Sequence, residues 1–110
     1  MKIILDGDLF FPLRFYDSNS PIQKEQFRIN DVLWAKMLSW QREYTMYTPM
    51  NHNELLKYLD KVKVLDDEGV KLLMEITNSI SGYENTITFY YFSICQGEFL
   101  KTIHVTPTQK

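Results

Sequence analysis

The chain has 110 residues, with 12 basic and 14 acidic side chains, 45% hydrophobic residues, four glycines, four prolines and one cysteine. This length predicts one domain, residues 1–110, and the average globular composition excludes a collagen, a disordered tail and a disulfide-rich scaffold. A formal net charge of −2 offers no excess of positive charge for non-specific binding to nucleic acid.

The beginning of the chain predicts a strand and argues against a secretory signal. The apolar residues 3–5 are interrupted by Asp6-Gly7-Asp8, whereas a signal peptide needs a longer apolar core. No segment approaches the roughly 18 consecutive apolar residues of a membrane span. The single Cys95 cannot close a disulfide within the chain. We therefore expect a cytoplasmic protein without a membrane span.

The first two strands are predicted around Asp6-Gly7. This dipeptide lies between the apolar residues 2–5 and 9–16, and Asp-Gly between apolar runs is typical of a hairpin turn. Pro12 lacks an amide donor, which places the second strand at a sheet edge or at a bulge. The polar residues 17–21 predict a loop.

A first amphipathic helix is predicted over residues 32–44. Apolar side chains recur there at helical spacing, and Asn30 or Asp31 can cap the amino end. Pro49 cannot continue the hydrogen-bond ladder and disfavours helical geometry at the preceding residue. We therefore expect this helix to end before residue 49.

Two further helices are predicted in the middle of the chain. Asn51 and Glu54 have the spacing of a capping box, which starts the second helix near residue 51. Asp66 has the residue type of an amino-terminal cap and is followed by two acids, which favour the positive end of a helix dipole. The third helix is therefore expected to begin at Asp66 and to end near Gly82.

The C-terminal third predicts a second hairpin. Residues 86–95 and 98–105 are rich in β-branched and aromatic residues, and Gln96-Gly97 between them has the composition of a turn. The order of strands, helices and strands predicts an α+β domain. We expect an antiparallel β-sheet, formed by the N-terminal and C-terminal hairpins, with about three α-helices packed on one face.

A two-residue turn at Gln96-Gly97 would fix the register of this hairpin. It pairs Cys95 with Glu98 and Tyr90 with Ile103. One face then carries Thr88, Tyr90, Phe92, Ile94, Phe99, Ile103 and Val105. The other face carries Phe89, Tyr91, Ser93, Leu100, Thr102 and His104. Both faces contain large apolar groups, which is more than a sheet covered on one side needs.

The inventory of residues excludes several kinds of chemistry. The four glycines are scattered, so a phosphate-binding loop is missing. One cysteine and two histidines, without closely spaced pairs, are too few for a structural zinc site. Cys95 in an apolar strand is typical of a buried thiol, not of a nucleophile. No metal site and no cofactor are predicted.

Two alternatives involve RNA. His52 and His104 could act as acid and base in phosphodiester cleavage, because imidazole titrates near neutral pH. Phe89, Tyr91 and His104 could instead form a platform on which bases stack. The excess of acidic residues between positions 65 and 100 opposes both RNA cleavage and RNA binding. A small RNA-binding or RNA-cleaving protein is the alternative hypothesis, and the acidic charge disfavours nucleic acid as a partner.

Acidic residues concentrate in the second half of the chain. Residues 65–100 contain six acids and one base, Lys71. Exposed acids are usually only solvated surface, but together with aromatic anchors they are typical of a protein-binding surface, where negative charge steers a basic partner. The residues predicted to bind the partner are Asp66, Asp67, Glu68, Tyr83, Glu84, Phe89, Tyr91 and Glu98.

The leading hypothesis is a non-enzymatic, protein-binding function. With no catalytic, metal-binding or cofactor-binding motif, the chain is typical of a small inhibitor that neutralises a basic partner protein, a toxin or a nuclease, as an immunity protein or antitoxin does. Exposed rings such as Phe89 and Tyr91 would fit a homodimer equally well, so self-association stays an open alternative.

Overall fold

The computed structural model describes residues 1–80 and 85–106, which form four strands, three α-helices and one short 3-10 helix. The elements in chain order are β1 (Lys2–Leu5), β2 (Leu13–Phe15), the 3-10 helix (Lys24–Phe27), α1 (Asp31–Tyr44), α2 (His52–Leu56), α3 (Leu59–Ser79), β3 (Ile87–Ser93) and β4 (Glu98–Val105). The predicted α+β class is confirmed.

The four strands form one mixed sheet in the order β2-β1-β3-β4. β1 pairs antiparallel with β2, and β3 pairs antiparallel with β4, so both predicted strand pairs exist. The central pair, β1 with β3, is parallel, with Ile3 opposite Phe89 and Leu5 opposite Tyr91. The prediction of a purely antiparallel sheet is therefore wrong. The helices between β2 and β3 bring the chain back to the free edge of β1, where β3 runs in the same direction as β1. No local sequence pattern indicates this parallel pairing.

The N-terminal strand pair is joined by a longer connection than the predicted turn. β2 contains only three residues, and residues 6–12 connect it to β1. Gly7 does not have a positive φ. Among the glycines of the described residues, Gly97 alone has a positive φ. A Cβ at Gly7 would instead overlap the ring of Tyr44. Gly7 therefore allows the connection to pack closely against α1.

The helix caps follow the sequence prediction for the first two helices. Asn30 Oδ1 accepts a hydrogen bond of 2.8 Å from the Leu33 amide at the start of α1. Asn51 and Glu54 form the predicted capping box at the start of α2, which extends only to Leu56. No residue of α2 is buried. The layer of helices on one face of the sheet consequently consists mainly of α1 and α3.

The third helix differs from its prediction in where it begins. α3 runs from Leu59 to Ser79, so Asp66 lies inside the helix and is not its cap. The buried side chains Val62, Leu65, Leu73 and Ile76 form one continuous helical stripe, which needs no interruption at residue 66. The predicted end at Gly82 lies outside the described residues.

The C-terminal hairpin has the predicted strands but another register. Residues 94–97 form a four-residue turn, and β4 has a bulge near the pairing of Tyr91 and Phe92. Ser93 is therefore opposite Glu98 and Tyr90 is opposite Thr102, so the predicted pairing of Tyr90 with Ile103 is wrong. The alternation along β3 is as expected, because Phe89, Tyr91 and Ser93 share one face.

The core lies between that inner face of the sheet and the two long helices. Ile3 and Leu5 of β1, Phe89 and Tyr91 of β3 and Leu13 of β2 point into it. The helices contribute buried residues that include Leu33, Met37, Trp40, Tyr44, Leu65, Leu72, Leu73 and Ile76. Apolar burial of this kind supplies most of the free energy that favours folding.

Candidate functional site

The most completely buried charged residue of the core is Asp66 on α3, which is 1% exposed. Its Oδ1 atom accepts hydrogen bonds from the hydroxyls of Tyr44, at 2.9 Å, and Tyr91, at 2.6 Å. Its Oδ2 atom accepts from the Ser93 hydroxyl, at 2.7 Å, and from the Gln96 side-chain amide, at 2.6 Å. Helix α1, helix α3, strand β3 and the 94–97 turn therefore meet at one carboxyl group.

Asp66 is stabilised by hydrogen bonds and not by an ion pair. Among the described residues, no basic side chain lies within ion-pair distance of it. Burial raises the pKa of the Tyr44 and Tyr91 hydroxyls, so both stay protonated and can donate. Because the carboxyl group has four donors and almost no exposed surface, it cannot receive a substrate. Its role is to hold helix, strand and turn together.

The 6–12 connection is fixed by a second group of polar contacts. The Asp6 carboxylate accepts two hydrogen bonds from the Arg14 guanidinium, at 2.9 and 2.7 Å, and one from the Asp8 amide, at 3.2 Å. The Asp8 carboxylate accepts from the amides of Phe10 and Phe11, both at 3.1 Å. Burial raises the pKa of Asp6, although Arg14 opposes the rise.

Helix α1 also holds this connection. The Gln41 side-chain amide donates to the carbonyl oxygens of Asp8, at 2.7 Å, and Leu9, at 3.0 Å. Arg14 donates to the Phe11 carbonyl at 2.9 Å. These bonds satisfy backbone groups that an irregular segment would otherwise leave to water. The path of the connection is therefore defined by side chains of β2 and α1.

Three apolar side chains project from this fixed connection into solvent. Leu9 is 63% exposed, Phe10 is 73% exposed and Phe11 is 47% exposed. We call residues 9–11, with these side chains, the apolar tip. Isolated exposed apolar residues are ordinary, but three in succession on a fixed backbone form a contiguous patch, which is typical of an interaction surface.

The structure confirms the surface position of only some predicted partner-binding residues. Asp67, Glu68 and Glu98 are exposed. Asp66, Phe89 and Tyr91 are buried, so their side chains do not form part of the exposed surface on which the prediction placed them. Both rings point from β3 toward the helices, and the Tyr91 hydroxyl donates a hydrogen bond to the Asp66 carboxyl group on α3. Tyr83 and Glu84 lie outside the described residues.

The apolar tip and two of the exposed acids lie at the same end of the sheet. Because β1 and β3 are parallel, the connection that follows β1 and the turn that follows β3 leave the sheet at one edge. The bond from Gln96 to Asp66 attaches α3 to that turn. Asp67 follows Asp66, and Glu98 follows the turn, so both acids are near this end.

The apolar tip was missed because the sequence pattern was interpreted as a strand. Residues 9–16 are mostly apolar, and apolar runs bounded by turn residues are typical of strands. The available signal was Pro12 directly after the run, together with Asp8 before it. Aspartate bonds easily to amides two and three residues ahead, and this keeps the segment out of the sheet.

The platform proposed for RNA bases is not formed. Phe89 and Tyr91 are buried on the inner face, whereas His104 is paired with Thr88 on the outer face and bonds to its hydroxyl at 3.1 Å. The outer face instead carries a cluster of other rings. The shortest centroid distances in it join Phe92 to Phe99, at 4.9 Å, and Tyr16 to Tyr90, at 5.2 Å.

The surroundings of Cys95 do not activate its thiol as a nucleophile. Cys95 is half-buried, and burial raises the pKa of its thiol, which keeps the weakly nucleophilic protonated form. In the described part of the chain, no three His, Cys, Asp or Glu side chains are grouped so that they could hold a metal ion.

Within residues 1–80 and 85–106, no helix has the length and apolar character needed to cross a membrane.

Comparisons with protein-family models, curated proteins and solved structures find no match for this chain.

Proposed function

We propose that this chain is a non-enzymatic protein-binding domain, a small inhibitor that neutralises a basic partner such as a toxin or a nuclease in the manner of an immunity protein or antitoxin. The observation that carries the proposal is the apolar tip, in which Leu9, Phe10 and Phe11 are exposed on a backbone held by Asp6, Asp8, Arg14 and Gln41.

A fixed apolar loop favours protein binding for an energetic reason. Association loses conformational freedom, and each mobile side chain or loop ordered at an interface costs free energy. The connection is already ordered by its hydrogen bonds, so less of this cost remains to be met on binding. Aromatic side chains such as Phe10 and Phe11 also bury a large area in a partner's pocket, where the binding energy of an interface concentrates.

The acidic residues at the same end support a basic partner. Asp67 and Glu98 are exposed at the end of the sheet from which the apolar tip also projects, and Glu68 is exposed one residue further along α3. Negative charge around an apolar contact accelerates association with a positively charged protein more than it raises affinity. We further propose a cytoplasmic location, which agrees with a single thiol that stays reduced there.

The test compares three forms of the tagged full chain expressed in its native host. They are the unchanged protein, the double variant Phe10→Ser and Phe11→Ser, and the control Val32→Ser, which alters an equally exposed apolar residue on the first turn of α1. Co-purifying proteins are identified by native mass spectrometry, and the affinity of each identified partner is then measured by calorimetry.

We expect a stoichiometric basic partner with the unchanged protein and the control, and at least about a tenfold loss of affinity with the double variant. Equal affinity in all three forms would contradict the role of the apolar tip. Recovery of a homodimer alone, or of nucleic acid, would replace the inhibitor hypothesis by self-association or by RNA binding.

A further inference from the structure

Helices α1 and α3 leave an open groove on the surface of the helical layer. It consists of two depressions, with volumes of about 300 and 450 Å³, that share Glu43 and Glu68 as lining residues. Trp40 and Leu72 line the first depression, and Leu65 lies in the second. The groove has no lining residue in common with the 6–12 connection.

The floor of the groove and part of its exposed lining are apolar. Trp40, Leu65 and Leu72 are buried beneath it, while Met46 is 65% exposed and Val64 is 57% exposed along the second depression. These two exposed side chains, together with the apolar floor, can be covered further without unfolding any part of the chain. A ligand with apolar side chains would therefore remove this surface from water.

The second depression is also acidic. Its lining contains three carboxylates, Glu43, Asp60 and Glu68, and one ammonium group, Lys61. Lys61 Nζ lies 5.9 Å from the ring centroid of Tyr58, so it has a contact of its own. In the described part of the chain, none of the three carboxylates has a basic group within ion-pair distance. The charge left for an occupant is negative.

The first depression is closer to neutral. Lys36 Nζ and Glu75 Oε2, which both line it, are 3.0 Å apart and neutralise each other. Lys71 also lines this depression, together with Glu43 and Glu68, which the two depressions share. An occupant that follows the whole groove would thus meet its strongest negative charge at the end that contains Asp60 and Met46.

The shape of the groove selects a helix as its occupant. Along α3 the lining extends from Asp60 to Glu75, which at 1.5 Å per residue is about 22 Å, the length of roughly four helical turns. An extended peptide would find no backbone partners here, because the amides and carbonyls of α1 and α3 are bonded within those helices. A helix brings its own backbone bonds and presents a continuous row of side chains.

We propose that this groove binds a basic amphipathic helix of the partner protein. The apolar stripe of that helix covers Met46, Val64 and the floor, and its flanking lysines or arginines lie against Glu43, Asp60 and Glu68. This proposal rests on the proposed function, because both require a basic partner protein. The groove is a different surface from the apolar tip.

The test uses the full chain and three synthetic peptides of about 15 residues. The first has leucines at helical spacing with flanking lysines, the second replaces every lysine by glutamate, and the third keeps the lysines but has a central proline that prevents a continuous helix. Binding is measured by calorimetry, and the contact surface is located from amide chemical-shift changes in the isotope-labelled protein.

We expect the lysine peptide to bind and to shift amide signals of α1 and α3, with the glutamate and proline peptides at least about tenfold weaker. The variant Glu43→Lys/Glu68→Lys should lose about tenfold in affinity for the lysine peptide. Its matched control, Asp17→Lys/Glu25→Lys, changes the net charge equally at exposed positions that do not line the groove, and it should bind normally.

Equal binding of the lysine and proline peptides, or equal losses in both charge variants, would overturn the helix proposal. Shifts confined to other surfaces would do the same. Measurements with the natural partner distinguish a failure of the groove proposal from a failure of the proposed function. If the partner needs Phe10 and Phe11 but is indifferent to Glu43→Lys/Glu68→Lys, only the groove proposal fails. If no protein partner binds, the proposed function fails with it.

Discussion

Asp66 and Gln96 are joined by a hydrogen bond of 2.6 Å between the middle of α3 and the turn after β3, 30 residues further along the chain. Tyr44, Tyr91 and Ser93 bond to the same carboxyl group. The position of the turn relative to the helices is consequently determined by a polar contact inside the core and not only by apolar packing.

Replacing Asp66 by alanine should destabilise the fold strongly. Three buried hydroxyls and the half-buried Gln96 amide would lose their acceptor, and we expect the free energy of unfolding to fall by about 3 to 5 kcal/mol. Asp66→Asn should cost less, because the Gln96 amide can rotate and present its oxygen. Urea unfolding measures both changes. Asp67→Ala, at the neighbouring exposed position, is the control, and an equal loss there would contradict the assignment.

Gly69→Ala should lower stability although it favours the helix. Alanine is better than glycine in a helix by about 1 kcal/mol, but a Cβ at this position would overlap the ring of Tyr91. Overpacking in a dense core costs about 1 to 3 kcal/mol, so the net change should be a loss. Thermal unfolding decides the sign. A stabilised variant would show that the helix and strand are less tightly packed than described.

Removing the Asp8 side chain should loosen the apolar tip without removing it. Asp8→Ala deletes the acceptor for the amides of Phe10 and Phe11, and a broken local bond lets an amide exchange with solvent through small openings. We expect exchange at these two amides to accelerate by about tenfold or more while the core amides are unchanged. The control is Asp17→Ala, and an effect of the same size there would contradict the role of Asp8.

The raised pKa of Asp6 has a consequence for stability against pH. The native pKa lies above the ordinary value of 3.8, so the native state binds a proton that the unfolded state still lacks as the pH falls. The stability that this proton binding contributes is complete below the pKa that Asp6 has in the unfolded state. It is lost as the pH rises through the pKa that Asp6 has in the native state. The free energy of unfolding of the unchanged protein, minus that of Asp6→Asn, should therefore be larger at pH 4 than at pH 7.

Urea unfolding of the two proteins at both pH values provides that difference, in which the other carboxyl groups cancel. A difference that shrinks toward pH 4 would mean that the bond to Arg14 outweighs burial at Asp6.

Charge reversal at the exposed acids should slow association with a basic partner. We expect Asp67→Lys/Glu68→Lys/Glu98→Lys to reduce the association rate about tenfold at low salt, with the effect shrinking as salt screens the charges. All three residues are exposed, so the fold should be unaffected. Stopped-flow measurements with the captured partner test this. Unchanged association rates would contradict electrostatic steering.

Local signals allowed a good part of the fold to be predicted. Asn30 caps α1 and Asn51 caps α2 as expected, since a cap depends on residues only three positions apart. The inward alternation of Phe89, Tyr91 and Ser93 was also predictable, because side chains of a strand alternate between its faces.

What could not be predicted depends on distant partners. Asp66 has the residue type of a helix cap, but its side chain is buried because donors 22 to 30 residues away in sequence, among them Tyr44 and Gln96, bond to it. The register of the last hairpin depends on the bulge near Tyr91, which changes the pairing without a distinctive sequence signal. The candidate site was affected most, since burial of Asp66 and Tyr91 removed them from the surface.

The parallel pairing of β1 with β3 also determines when the molecule can fold. Strand β1 ends at Leu5, and β3, with which it pairs, begins at Ile87. The central pairing of the sheet can therefore form only after most of these residues have been synthesised. Contacts of such sequence separation slow folding, because a long loop must close before the pairing compensates for the lost entropy. Until β3 pairs with β1, the inner-face side chains of β1 are open to other chains, and a newly made molecule is most prone to aggregate in that interval.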